Sequence, residues 1–323
     1  MAAGFQYFDH ESSGAPSLGD GSTAGSLVTL LDWILVSKGG WSKPFSSTSQ
    51  AVYRADSGNR KFLKIDDRVG ATAVARGYNN MTSLTAGTGP FPTISGGAAL
   101  SEYGILKQYA NDTGTRRYWG VRTDKYILLI IEVSSVAGAS AMYRDIFVFG
   151  EVPSLWPADI NHNSVCMANN FTSALPYSII SYYSACTAGS VLSAGAVNPA
   201  FAATPDGSIT GAPLYQNFAN TPNNGTLDNS ANLIGGDIIL DIMLMGVAGA
   251  ISTMACPAPR SKLPNLKYIH NIAAAGYSTI DMSEVTLDTK TFKVIAMSST
   301  GVASTDRSCV RLLLEKTDTG GAL

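Results

Sequence analysis

Few residues in this chain have the type and spacing that chemistry needs. His10 stands between Asp9 and Glu11, but a metal site there needs a second histidine at short spacing, and none follows. The segment reads as a solvated arm. Cys166, Cys186, Cys256 and Cys309 have no C-x-x-C spacing, and Cys166 has only His162 nearby. A zinc site needs a denser cluster, so they read as separate buried thiols. The sequence leaves their disulfide state open, and a cytoplasmic origin argues against bridges. Asp66-Asp67, Glu102, Asp112 and Asp124 are the carboxylates from which a glycosidase pair could be drawn. At strand ends such aspartates usually begin turns, and they are read so here.

The nucleotide and acyl-transfer motifs are absent. There is no Gly-x-Ser-x-Gly elbow, no Walker loop and no Gly-x-Gly-x-x-Gly. Gly87-Thr88-Gly89 resembles part of a phosphate loop, but Pro90 follows and has no N–H to offer. Tyr103, Tyr109, Tyr118, Trp119 and Tyr126 could line a sugar-binding platform; aromatics on strands are more often core. Asn111, Asn170 and Asn224 begin glycosylation sequons, which carry no meaning without secretion. No catalytic, cofactor-binding or metal residue is assigned, and no cofactor is expected.

The elements that would position such residues are mostly strands. Leu27, Leu30, Leu31, Ile34 and Leu35 recur at helical spacing, which predicts one short helix capped by Ser22 or Thr23 and stopped at Gly39-Gly40. Ala51–Arg54 and Arg60–Asp66 flank Asp56-Ser57-Gly58-Asn59, a hairpin signature. Further strands are predicted at Thr72–Tyr78, Arg116–Val121, Tyr126–Val133, Tyr143–Phe149, Ile238–Met245, Thr291–Met297 and Val310–Glu315. Ile127–Ile131 is continuously apolar, so that strand is expected to be covered on both faces. Residues 187–236 carry strong turn chemistry and are expected to form surface excursions. The predicted fold is mainly β, an antiparallel β-sandwich or barrel with one short N-terminal helix and long irregular loops. Its expected parts are residues 1–40 (arm and helix), 41–155 (a β-rich domain) and 156–323 (a second β-rich, loop-rich lobe).

Composition narrows the function. Only 14% of the 323 residues are charged, where about 25% is usual, and the net charge is −2. With 22 basic against 24 acidic residues there is no cationic field for nucleic acid. At 45% hydrophobic the chain is not disordered. The apolar run Leu233–Ile251 contains Asp237 and Asp241, which are expensive at bilayer depth, so no membrane span is expected. The N-terminus lacks the basic start and apolar stretch of a signal peptide, giving the expectation of a soluble protein made in the cytoplasm.

Several segments carry more than composition. They are Gly25–Leu35 with Gly40-Trp41-Ser42-Lys43-Pro44-Phe45; Ala51-Val52-Tyr53-Arg54 with Phe62-Leu63-Lys64-Ile65-Asp66-Asp67; and Ala71-Thr72-Ala73 with Arg76-Gly77-Tyr78, Met81 and Gly87–Thr93. Phe147–Glu151 and Arg260-Ser261-Lys262-Leu263-Pro264-Asn265-Leu266 follow. Together they resemble a family of uncharacterised virion structural proteins of tailed bacteriophages, met among tail and baseplate genes. The resemblance spans about residues 14–160 and then only the Leu-Pro-x-Leu segment, where Asn265 stands in place of an expected glycine. It supplies no catalytic residues.

The resemblance implies a non-enzymatic structural subunit of the virion, made in the host cytoplasm and placed in the tail or baseplate. Such a subunit would self-associate, as a trimer or hexamer by analogy with tail symmetry, and dock on other tail or capsid proteins. Residues 1–40 are expected to be the docking element, with residues 1–20 dispensable for folding. A head decoration or head-associated fibre protein is one alternative. A receptor- or carbohydrate-binding tail module, with a host surface glycan as partner, is another, and a depolymerase a third.

Overall fold

The computed structural model describes residues 5–19, 22–91, 103–108, 114–133, 141–154, 164–167, 169–170, 200–202, 212–217, 237–246, 258–271, 284–287, 290–296, 298–300 and 311–316. The chain opens with β1 (Gln6–Asp9) and helix α1 (Ser26–Leu31), which runs on as π-helical turns over Asp32–Ser37. Then come β2 (Trp41–Ser47), β3 (Gln50–Ala55), β4 (Phe62–Asp66), β5 (Thr72–Met81), β6 (Gly87–Phe91) and β7 (Tyr103–Leu106). β8 (Tyr118–Arg122), β9 (Tyr126–Glu132), β10 (Ala141–Glu151), β11 (Ser164–Met167) and β12 (Asn169–Asn170) follow. The remaining strands are β13 (Ala200–Ala202), β14 (Ala212–Asn217), β15 (Asp237–Gly246), β16 (Ala258–Asn271), β17 (Glu284–Leu287), β18 (Lys290–Ala296), β19 (Ser298–Thr300) and β20 (Arg311–Lys316).

Among the described residues the fold is mainly β, with antiparallel sheets and one short helix. The larger sheet runs β1-β8-β9-β10-β11-β13-β14-β15-β16-β20-β18-β17, with β19 on β10. The smaller runs β12-β7-β5-β4-β3-β2, with β6 on β5. The predicted hairpins are present. β3 pairs with β4 from Gln50↔Asp66 to Arg54↔Phe62, and the intervening loop uses positive φ at Gly58 (68°) and Arg60 (54°). Between β8 and β9, Thr123 Oγ1 accepts the backbone N–H groups of Lys125 and Tyr126, each at 3.1 Å, and so fixes the turn. Side-chain capping of this kind supplies the turn with partners the ladder cannot.

The two sheets and the helix share one core. Ala51, Tyr53, Leu63 and Ile65 of the smaller sheet meet Ile127, Leu129, Ile131, Phe147 and Phe149 of the larger, with Leu27, Leu30, Leu31, Ile34 and Leu35 of the helix packed among them. Each such Leu, Ile or Phe side chain contributes about 1.5–3 kcal/mol of transfer free energy on burial. β9 is buried along its whole length, as its unbroken apolar run predicts. Its second face is covered by the C-terminal strands. The Tyr126 hydroxyl donates to Asn265 Oδ1, and Lys316 Nζ lies 5.8 Å from the ring centre of Tyr7 while pairing with Glu284 at 2.8 Å. The larger sheet therefore rolls back over its own first strands. Residues beyond 155 continue that sheet, since β10 pairs with β11 from Val148↔Met167 to Glu151↔Ser164.

The Leu-Pro-Asn-Leu segment is a bulge in this roll. β15 and β16 pair at Asp241↔Lys267 and again at Met243↔Lys262, so residues 263–266 lie outside their ladder. Leu263 and Leu266 are buried, and Asn265 holds φ 61°. That left-handed backbone explains why asparagine can stand where glycine is expected, since these are the residues that adopt it most readily. Asn265→Ala should therefore be less stable than Asn265→Gly by roughly 1–2 kcal/mol, although both lose the same side-chain hydrogen bonds. Denaturation midpoints compare the two; equal losses would remove the backbone explanation.

Two expectations need correction. The arm is not solvated: β1 pairs with β8 from Gln6↔Arg122 to Asp9↔Trp119, and Phe8 and Leu18 are buried in the core. Residues 1–40 share the core of residues 41–155 through their strand and helix. Helix α1 is capped by neither Ser22 nor Thr23; its N-cap is Gly25 at φ 82°, with no side-chain cap of its own. Of residues 187–236, only β13 and β14 fall within the described residues.

Candidate functional site

Two ion pairs, Lys107–Asp67 and Arg144–Glu132, lie wholly inside the fold, and the groups around them have positional causes. The helix is held at both ends by charges from other strands. At its start, Asp67, which follows β4, accepts the backbone N–H of Leu27 at 2.7 Å and of Val28 at 3.4 Å. An acid there satisfies donors that Gly25 cannot and complements the positive end of the helix dipole. Lys107, just after β7, brings Nζ to 2.5 Å from Asp67 Oδ1, and both side chains are 0% exposed. The ammonium also donates to the Thr23 carbonyl at 2.9 Å and contacts Ser26 Oγ at 3.2 Å. Burial pushes the Asp67 carboxyl up, against the opposing pull of Lys107 and of the Leu27 and Val28 N–H groups. At the far end, Arg122 of β8 donates to the carbonyls of Lys38 and Gly39 and to Gln6 Oε1 at 2.6 Å. A cation there faces the negative end of the dipole and ties β1 to the helix.

A second group lies on the larger sheet. Glu132 of β9 sits opposite Arg144 of β10. Its carboxylate accepts Arg117 Nη2 at 2.6 Å and Arg144 Nη2 at 2.9 Å. Arg144 is 0% exposed and Arg117 34%. Both guanidinium groups stack on Trp119, at 4.9 Å for Arg144 and 5.5 Å for Arg117. His10 meets the same indole edge-on at 5.5 Å. A third group holds the β3–β4 loop, where Glu151 accepts Asn59 N–H at 2.5 Å and Ser57 Oγ donates to Asp124 at 2.6 Å.

The residues singled out from sequence are scattered by this fold. Asp66 and Asp67 turn to different neighbours: Asp66 accepts Arg68 and Gln50 at the surface, and the Arg68 hydrogen bond holds its carboxyl below the usual range. Asp124 serves the hairpin, and Glu102 and Asp112 lie outside the described residues. Gly87–Gly89 is part of β6, paired to β5, not a phosphate loop. Tyr118, Trp119 and Tyr126 are buried and cannot form an exposed sugar platform; Tyr109 and the Tyr103 side chain lie outside the described residues. His10 is half-buried against Trp119, with the Glu11 carboxylate 3.7 Å from its Nε2. Among the described residues no group of His, Cys, Asp and Glu could hold a metal ion.

Cys166 is buried and free, as expected; Cys186, Cys256 and Cys309 lie outside the described residues. Burial pushes its thiol up to about 12. The thiolate, the reactive form, is therefore disfavoured at neutral pH. Cys166 in the native protein should resist iodoacetamide and become alkylated only on unfolding. Peptide mapping reads the outcome, and rapid native labelling at Cys166 would contradict its buried position.

The sequence reading passed over Lys107, Arg117, Arg122, Glu132 and Arg144. A signal existed: Glu132 interrupts the apolar run Tyr126–Val133, and Arg144 and Asp145 precede the apolar run Ile146–Phe149. A charge that must be buried with its strand needs a partner on the neighbouring strand. These groups join strand to strand within the larger sheet and strands to the helix. Among the described residues, no helix is long and apolar enough to cross a membrane. No protein-family model matches the chain, and no curated protein matches it.

Proposed function

We propose that this chain is a non-enzymatic structural subunit of a tailed-bacteriophage particle, placed in the tail or baseplate, that assembles with copies of itself and with other virion proteins. The observation carrying this reading is where the charges lie. The buried ionisable groups join strands and helix, while the exposed hairpin tips carry Ser46, Ser47 and Thr48 at one turn and Thr85, Gly87 and Thr88 at another. Uncharged small residues can enter an interface at little desolvation cost, whereas charged residues are depleted from interface cores. The low overall charge and the resemblance over residues 14–160 support the same reading. Burial of Tyr118, Trp119 and Tyr126 takes away three of the five aromatics that favoured a glycan-binding module.

Particles purified on a density gradient test this reading. Mass spectrometry should find the chain among the virion proteins, and gold-labelled antibody should mark the tail. Label confined to the head would move the subunit to a decoration role. Absence from the particle would overturn the proposal.

A further inference from the structure

The geometry points to a covalent cross-link between Lys107 and Asp67, an amide formed by condensation of the buried ammonium with the buried carboxylate. Several observations converge on the pair. Both side chains are 0% exposed, and Nζ lies 2.5 Å from Oδ1. That separation is shorter than the about 2.7–2.9 Å of an ordinary charge-assisted hydrogen bond. Oδ1 nevertheless has no hydrogen bond of good alignment, so the nitrogen approaches off the hydrogen-bonding axis. The other oxygen is already held: Oδ2 accepts the Leu27 N–H at 2.7 Å, with the Val28 N–H at 3.4 Å. Backbone donors so placed stabilise the charge that develops on that oxygen when a nucleophile adds to the carboxyl carbon. The amine is held in place as well, by the Thr23 carbonyl at 2.9 Å and Ser26 Oγ at 3.2 Å.

The step balances without a co-reactant. Lys107 passes one proton to Oδ1, which leaves a neutral amine beside a neutral acid. The nitrogen lone pair adds to Cγ, and negative charge gathers on Oδ2 beneath the Leu27 N–H. Nitrogen gives up a second proton to Oδ1, the Cγ–Oδ1 bond breaks, and water departs. One N–H remains in the new amide. Two effects favour this course. Fixed neighbours react as if at very high concentration. A buried ion pair also pays desolvation for both charges, and the neutral amide removes both from the interior. Burial raises the Asp67 carboxyl toward the protonated form that the first proton transfer requires.

Mass spectrometry of the full chain decides the matter. The intact mass should fall about 18 Da below the sequence mass, the loss of one water on amide formation. Trypsin should release residues 65–68 joined to residues 77–116, uncut at Lys107. Lys107→Arg, which keeps the charge, should restore the sequence mass and the linear peptide 65–68. A linear peptide 77–107 in full yield from the wild-type chain overturns the cross-link, and so does a water loss that maps elsewhere or persists in Lys107→Arg.

Discussion

Glu132→Gln should lower the free energy of unfolding by about 1.5–3 kcal/mol, the size expected when hydrogen bonds between charged groups are lost. The side chain keeps its shape, so the loss reports charge. Arg144 is fully buried and has Glu132 directly opposite on β9, whereas Arg117 can turn part of its guanidinium to water. Trp119 beneath both cations offers its ring face, worth about 0.5–2 kcal/mol, too little to replace a carboxylate. Urea titration of the purified chain measures the change. A loss under about 1 kcal/mol would place the group with ordinary surface pairs and defeat the argument. The double variant Glu132→Leu with Arg144→Met should recover most of the loss, because apolar replacement of a buried pair is often neutral or stabilising.

Phe8→Ala should cost about 3–5 kcal/mol, the range for emptying a buried aromatic site. Phe8 is 5% exposed and meets Trp33 edge-to-face with ring centres 6.3 Å apart. Opposite it on β8 stands Gly120, where a Cβ would collide with the Phe8 ring and the Leu128 carbonyl. The strand is thus seated by shape as well as by its ladder. Removing residues 1–9 should be worse still, since Arg122 then loses Gln6 and β8 loses its outer partner. Thermal or urea unfolding reads both variants. A truncated chain of unchanged stability would restore the dispensable arm.

What the sequence could reveal depended on distance along the chain. The β3–β4 hairpin and the β8–β9 turn are specified by residues next to them, with Gly58 and Thr123 supplying the turn chemistry. The double-sided burial of β9 was legible because an unbroken apolar run has no face for water. The role of β1 was not legible, because Gln6-Tyr7-Phe8-Asp9 becomes a strand only against β8, more than a hundred residues away. The helix cap was hidden for the same reason: Gly25 offers no side chain, and the acid that replaces it is Asp67. Asn265 looked like a flaw in a motif until its backbone angle gave the reason. The candidate site fared worst, since a buried ion pair is a statement about two strands and neither strand states it alone.

The pairing of the first strand with β8 also sets an order of events during synthesis. Phe8 leaves the ribosome early, yet its partner residues Tyr118–Arg122 come some 110 positions later. At elongation rates of about 5–20 residues per second, roughly 5–20 s separate the two. For that interval an aromatic strand has no ladder, and the helix that Arg122 anchors has no clamp at its end. Contacts of such long sequence separation form slowly, because the loop entropy must be met before any contact rewards it. The nascent chain is therefore most open to chaperone capture, or to pairing with a neighbouring copy, before residue 122 emerges.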